Sequence, residues 1–459
     1  MTSDEFLKSS ERAARWIARY AERIRDYPVL GATRPGDIAR QLPASAPDAG
    51  EAMDAILDDF ERIIVPGLTH WNHPGFFAYY ANSGTPPGVI ADTLAAAVNV
   101  QAMQWRASPA ATELEQVTLA WLREWLGLPP EFFGLIYDTA SMSTMHALIA
   151  ARHRMAPEAR EQGNPPGLTI YTSEQAHSSV EKAAIGMGVG QANVRKIAMD
   201  GQFRMRPEAL AQAIAADRAA GKRPFCIVAT IGTTPTASID PIPAIADIAE
   251  REGLWLHVDA AYGGSFAVAD EMKPLFAGWE RADSVVVNPH KSLLVPVDLS
   301  AFYTRRPEVL RQALSLVPDY LATPTGEENL TDYSVQLGRR FRALKLWFVM
   351  RSYGRTGVEA ILRRHAECAR QFAERVEADP RFELAAPVRF SLVCFRLKAG
   401  DDATRSLLER INRSGQAFLS STVLHGQLAL RLAIGNYQTG PDDVGRAWAA
   451  IAAATSAGL

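Results

Sequence analysis

The chain has 459 residues, 47% of them hydrophobic and 22% charged, a balance typical of folded domains that excludes disorder along its whole length. At ~100–200 residues per domain, this length allows two or three domains. With 48 basic and 51 acidic side chains the formal net charge is −3, which gives no electrostatic footprint for a nucleic-acid partner. Cys226, Cys368 and Cys394 lie too far apart for a disulfide framework or a CxxC metal knuckle and suit a reducing, cytoplasmic setting. Residues 1–30 mix acids and bases without an apolar core and cleavage site, so they do not read as a secretory leader. No apolar run approaches the ~18 residues of a membrane-spanning helix.

The first segment reads as an amphipathic helix. Ala13, Ile17, Tyr20 and Ile24 share one stripe, and Thr2 and Glu5 have capping-box spacing. Pro28, Pro35, Pro43 and Pro47 then punctuate a loop-rich stretch. Such a segment buries little alone and is expected to pack on the main body or on a second subunit. From about residue 85, β-rich runs alternate with helical stretches: Phe133–Tyr137, Leu168–Thr172, Phe225–Ile231, Leu254–Val258, Ser284–Val287 and Leu299–Tyr303 as strands, with Pro207–Ala219 and Ile242–Glu252 among the helices. This alternation predicts an α/β fold with a mostly parallel sheet covered on both faces, and ligands in such sheets bind beyond the carboxyl ends of the strands. Residues 318–333, rich in Pro, Gly, Thr and Glu, read as a lid or an irregular linker. A helix over Arg339–Tyr353 follows, and the last hundred residues read as a small α+β domain with strand-like runs at Arg389–Leu397 and Gln427–Ala433.

Chemistry is concentrated just after the predicted strands. Lys291 follows an apolar run and could form an imine in a water-poor pocket, or be an ordinary solvated lysine. Asp259 ends a buried run and needs a cationic partner or several donors. A protonated pyridine nitrogen is one such partner, and a cap on the following helix is the plain alternative. Thr139-Ala140-Ser141 before a helical stretch fits either a phosphate cradle or a Ser/Thr helix cap. His177 fits a stacking partner for a flat ring or a structural histidine. No Walker A loop, GxSxG elbow or GxGxxG turn is present. His70 and His73 lack the acid or thiol that would complete a metal site, so no metal is expected.

In order, His70–Tyr80 (HWNHPGFFAYY), Ser108–Glu115 (SPAATELE), Thr139–Ser141, Gln175–Glu181 (QAHSSVE), His257–Gly264 (HVDAAYGG), Asn288–Lys291 (NPHK) and Leu337–Arg342 (LGRRFR) resemble the group II decarboxylases that use pyridoxal 5'-phosphate (PLP), especially the aromatic-L-amino-acid decarboxylases. The resemblance implies an aspartate-aminotransferase-like PLP fold of type I. It implies residues 1–84 as an N-terminal helical segment on the partner subunit, 85–345 as the large PLP-binding domain, and 346–459 as a small C-terminal domain. It also implies a homodimer with active sites at the interface. Lys291 then carries the cofactor as an imine, Asp259 pairs with the pyridine nitrogen, His177 stacks on the ring and Ala261 lies beneath it. Ala140, Ser141, Asn288 and His290 serve the phosphate, and Thr234 lies near the cofactor. Trp71, Tyr79, Tyr80, Asn82 and His290 are expected on the substrate side, with Gln101 and Met103 reaching in from the partner.

The implied reaction is decarboxylation of an aromatic L-amino acid to its amine. The family's loop tyrosine protonates Cα. Counting back without gaps from Leu337, that position is Leu330, with Tyr333 three residues on, His177 or water as alternative donors. A leucine there would favour oxidative deamination to an aldehyde. Ala81 and Asn82 replace a Pro-Thr pair of animal members, and Gln101 and Met103 replace more apolar or aromatic side chains, changes that would suit another ring or a non-aromatic substrate. A transaminase or carbon–sulfur lyase on this fold, and a scaffold without cofactor, are the other classes considered.

Overall fold

The computed structural model describes residues 1–316 and 328–456, and most of the 318–333 stretch therefore lies outside the described residues. The chain divides into two compact units, one of Met1–Ala81, Arg370–Ala385 and Cys394–Leu459, the other of Asn82–Ala369 and Ala386–Val393.

The larger unit is built on a seven-stranded sheet in the order β1-β7-β6-β5-β4-β2-β3. Its strands are β1 (Phe133–Tyr137), β2 (Leu168–Ser173), β3 (Val194–Ile197), β4 (Arg223–Thr230), β5 (Trp255–Asp259), β6 (Ser284–Val287) and β7 (Ser300–Thr304). β7 runs antiparallel to both β1 and β6, whereas β2, β3, β4, β5 and β6 pair in parallel. The apolar runs of β2, β4, β5 and β6 are buried nearly throughout, as expected for parallel strands covered on both faces. Six strands fall where the hydrophobic runs predict them, to within two residues. β3 was not predicted, because VRKI is short and half polar.

The Pro207–Ala219 and Ile242–Glu252 helices match their expected spans. The helix expected from Arg339 starts instead at Ala343, because Arg339 is drawn into a buried ion pair. The carboxyl ends of β1, β4, β5 and β6 lie at one edge of the sheet. Gly232 (φ +91°) and Gly263 make the approach there tight: a Cβ on Gly232 would come within 2.9 Å of Gly263 N, and one on Gly263 within 2.5 Å of Ile231 O.

In the other unit the N-terminal helix spans Ser3–Glu22, with Thr2 and Glu5 forming the expected capping box. None of its residues is buried, and Phe6 and Leu7 are exposed. A four-stranded sheet, β10 (Ser420–Leu424), β11 (Gln427–Ala433), β9 (Leu392–Leu397) and β8 (Phe382–Leu384), carries this unit's core. Among the described residues no helix is long and apolar enough to cross a membrane.

Candidate active site

Four loops at the carboxyl edge of the large sheet converge. β5 ends in Asp259, only 5% exposed. Its Oδ1 accepts the Ala261 N–H at 3.0 Å. β6 runs into a short turn of helix, Pro289–Ser292, that carries Lys291. Backbone bonds tie the two loops, with Asn288 N–H donating to Ala261 O at 3.1 Å and Lys291 N–H to Asn288 O at 2.9 Å. Beyond β2 lies His177, whose Nδ1 accepts the Ser179 N–H at 3.1 Å. A neutral ring so held carries its proton on Nε2. Burial lowers the His177 pKa, the Asp259 carboxylate raises it and Lys291 lowers it. Asp259, Lys291 and His177 therefore share one electrostatic environment.

After β1, the Ala140–Met155 helix starts at the same edge. Thr139, its N-cap, bonds Asp138 instead of the helix, and Met142 and Ser143 take the Thr139 carbonyl. The N–H groups of Ala140 and Ser141 are left outside the ladder as a ready anion site. His290 Nδ1 accepts the Leu299 N–H at 3.0 Å, and Nε2 lies 3.4 Å from the Asn288 side-chain amide. Burial, then Lys291, hold the His290 imidazole down at about 4. The segment after Lys291 is braced by the Pro86–Val98 helix, with Thr85 Oγ1 donating to Leu294 O at 2.7 Å. Arg342 makes a two-pronged bond to Asp298 at 3.0 and 3.2 Å.

The residues fit PLP. Asp259 is a buried carboxylate at the end of β5, Lys291 is an amine on the loop after the neighbouring strand, and His177 is a neutral flat ring. Gln175 Oε1, Ser179 Oγ, Thr230 Oγ1 and Asn288 Oδ1 are buried without a hydrogen-bond partner. Among the described residues these orphan atoms follow β2, end β4 and follow β6, and such groups are what a bound polar molecule would satisfy.

Not all expected residues join this cluster. Leu330 and Tyr333 lie on one short 3₁₀ turn and are 1% and 5% exposed. The Tyr333 ring packs 5.3 Å from that of Phe133, and its hydroxyl donates to Glu328 Oε1 at 2.5 Å. The Tyr333 carbonyl takes the Tyr137 hydroxyl at 2.6 Å. Both side chains are core, so the ungapped count from Leu337 lands on a packing position and not on a loop. The other tyrosine of the 318–333 stretch, Tyr320, is outside the described residues.

Gln101 and Met103 lie in a loop pinned by the main chain, with Gln101 Oε1 accepting the Arg339 N–H at 3.2 Å and Met103 O the Thr331 N–H at 3.1 Å. Trp71, Tyr79 and Tyr80 belong to the smaller unit. Trp71 and Tyr79 stack at 5.8 Å and 12°, Tyr79 is 54% exposed with φ +52°, and Arg431 covers the buried Tyr80 ring at 5.2 Å. In that same unit, His70 Nδ1 meets Tyr20 Oη at 2.8 Å and His73 Nδ1 accepts the Gly75 N–H at 2.8 Å. Gln175, Ser179 and His257 lie within the motifs but carry no role that the sequence pattern assigns. A polar residue inside an otherwise apolar or small-residue run was the available signal.

A lysine and a buried aspartate on adjoining β-loops, beside a helix start, suit an enzyme that uses a phosphorylated carbonyl cofactor. Residues 35–398 match the pyridoxal-dependent decarboxylase conserved domain, and the chain belongs to that family. It is a carboxy-lyase whose cofactor is PLP. It is 41% identical over 469 aligned positions to the aromatic-L-amino-acid decarboxylase of Sus scrofa, with 98% of this chain and 96% of that one covered. It is 38% identical to the phenylacetaldehyde synthase of Arabidopsis thaliana, covering 98% and 94%. A crystal structure of Oryza sativa TDC with PLP and tryptamine superposes with a TM-score of 0.97 at 34% identity, covering 100% of this chain and 99% of that one.

Proposed function

We propose that this chain decarboxylates an aromatic L-amino acid, one of tryptophan, phenylalanine, tyrosine or dihydroxyphenylalanine, to the amine. The convergence of Lys291, Asp259 and His177 at one sheet edge carries this reading. Lys291 Nζ is the amine that would hold the cofactor aldehyde. The Ala140 and Ser141 N–H groups, with the Asn288 and His290 side chains, would hold its phosphate, Thr234 would lie near it and Ala261 beneath it. When bound, PLP supplies an electron sink for the pair left on Cα as carbon dioxide departs. Asp259, a buried carboxylate, would hold a proton at the ring nitrogen of that group. His177, neutral and oriented by the Ser179 N–H, would cover the ring face and exclude water from it.

The exposed Trp71–Tyr79 stack, with its left-handed Tyr79 backbone, supports an aromatic substrate. Ile90, Leu94 and Val98 form an exposed apolar stripe on the Pro86–Val98 helix, 56%, 46% and 57% exposed. Together with the unburied N-terminal helix it supports a homodimer in which residues 1–84 pack on the partner and Gln101 and Met103 reach across, around an 85–345 large domain and a 346–459 small one. A cytoplasmic location fits the reduced cysteines.

Amine formation is preferred to aldehyde formation because Leu330, whose identity was the reason to expect an aldehyde, is a core side chain. The test is a panel of the four aromatic amino acids plus glutamate, measuring carbon dioxide, amine, aldehyde and hydrogen peroxide together. Amine equal to carbon dioxide from an aromatic substrate is expected. Stoichiometric aldehyde and peroxide would establish the synthase reading instead, and turnover of glutamate alone would overturn the aromatic assignment.

A further inference from the structure

Strand β5 alternates its side chains, so Trp255, His257 and Asp259 project from one face of the sheet. That face lies under the Ala140–Met155 helix, in a core shared with Val228 and Phe302. Trp255, His257 and Ser284 are fully buried. β5 and β6 are in register with His257 opposite Ser284, and this pairing builds a hydrogen-bonded chain. Trp255 Nε1 donates to Ser284 Oγ at 2.9 Å, and Ser284 Oγ lies 2.9 Å from His257 Nδ1.

The proton positions follow from counting. An indole N–H only donates, so Ser284 Oγ must accept there, and every group of the chain is satisfied when its own proton points to His257 Nδ1. His257 therefore receives at Nδ1 and, being neutral, carries its proton on Nε2. That Nε2 is buried and has no partner among the described residues. The imidazole also feels the Asp259 carboxylate, two residues along the same face.

We propose that Trp255, Ser284 and His257 form a positioning chain behind Asp259, fixing the Nε2–H tautomer of His257 so that its dipole favours the ionised carboxylate that must face the ring nitrogen. No covalent step is involved. The chain acts through Asp259 alone and touches neither cofactor nor substrate. The other titratable groups around it are Cys226 on β4, whose thiol burial keeps protonated, and Asp283, next to Ser284, which accepts the Leu256 N–H at 2.9 Å; His177 and Lys291 share the field of Asp259. The inference rests on the proposed function and deepens it.

The test uses holoenzyme and two variants. Ser284→Ala breaks the chain at its centre. Trp255→Phe removes only the first donor while retaining an aromatic ring. The readouts are the pH midpoint of the cofactor's visible absorption band and the PLP dissociation constant. Ser284→Ala is expected to move the midpoint by about one unit and weaken PLP about 10-fold, the equivalence of one unit and tenfold being that of any protonation equilibrium. Trp255→Phe should shift both less in the same direction, and Ser284→Thr, which restores the hydroxyl, should return them toward the parent values. In cofactor-free protein, nitrogen NMR of His257 should report the Nε2–H tautomer at neutral pH in the parent and a mixture in Ser284→Ala. An unchanged band midpoint and dissociation constant in Ser284→Ala overturns the proposal. If that variant does not fold, an unchanged midpoint in Trp255→Phe together with an Nδ1–H tautomer in the parent overturns it. Absence of any PLP band in the parent protein would instead defeat the proposed function itself.

Discussion

Replacing Arg339 by methionine should be among the most costly single changes in the larger unit. Arg339 and Glu115 are 6% and 2% exposed and form a 2.7 Å ion pair. The same guanidinium donates to Ile136 O at 2.8 Å and Ala102 O at 3.1 Å. Methionine keeps much of the volume but leaves a buried carboxylate with only the Ile136 N–H, at 2.9 Å, and no cation. Removing one partner of a buried pair costs about 3–5 kcal/mol, most of it from the stranded charge. Removing both partners costs less, because apolar replacements of similar size avoid the desolvation penalty. The expected pattern in urea denaturation, read by tryptophan fluorescence with the slope checked for constancy, is therefore Arg339→Met about 3–5 kcal/mol less stable and Arg339→Met/Glu115→Leu at least about 1 kcal/mol more stable than that single variant. Because Ala102 N–H donates to Arg339 O, amide exchange in the loop that carries Gln101 and Met103 should accelerate in the single variant. A cost below about 1 kcal/mol for Arg339→Met, or a double variant equal to the sum of the singles, would refute the reasoning.

Other expectations concern the site, its loops and pH. Leu330→Tyr forces a larger ring into a core position and should destabilise by about 1–3 kcal/mol while leaving the amine-to-aldehyde ratio unchanged; a changed ratio would return Leu330 to the catalytic loop. A Cβ at Gly88 would lie 2.3 Å from Pro296 Cδ, so Gly88→Ala must displace the segment after Lys291, and dialysed protein should retain several-fold less PLP than the parent. Equal retention would show that this segment does not position Lys291. His146, His257 and His290 are buried and held neutral with pKa values of about 4, desolvation being the largest cause for each. The unfolded chain, with histidine near ~6.5, binds protons that the folded one refuses, so stability is fully present above pH ~6.5 and is lost as pH falls toward ~4. Each histidine accounts for about 3 kcal/mol over that window. Asp240, raised to about 6 by burial, works the other way, since the folded state takes up its proton first. A stability profile flat between pH 4 and 6.5 would contradict the burial of these three imidazoles.

Much of this protein was legible in its residues. Continuous apolar runs such as FCIVAT and SVVV, separated by helical periodicity, read as strands of a sheet covered on both faces, because each side chain along them must leave water. The polar residues that end those runs, Asp259 and Asn288–Lys291, then mark the edge where ligand chemistry sits. The order of motifs along the chain, with spacing set by strand and helix lengths, determined the family.

What the sequence could not determine was pairing at a distance. Arg339 reads as the start of a helix until folding places Glu115, more than two hundred positions earlier, against it. Leu330 and Tyr333 read as loop residues because their neighbours are polar, and only the packing against Phe133 and the bond to Tyr137 make them core. The Trp255–Ser284–His257 chain exists because β5 and β6 align in one particular register. A shift of one residue would turn Ser284 to the opposite face, and no local pattern encodes that alignment.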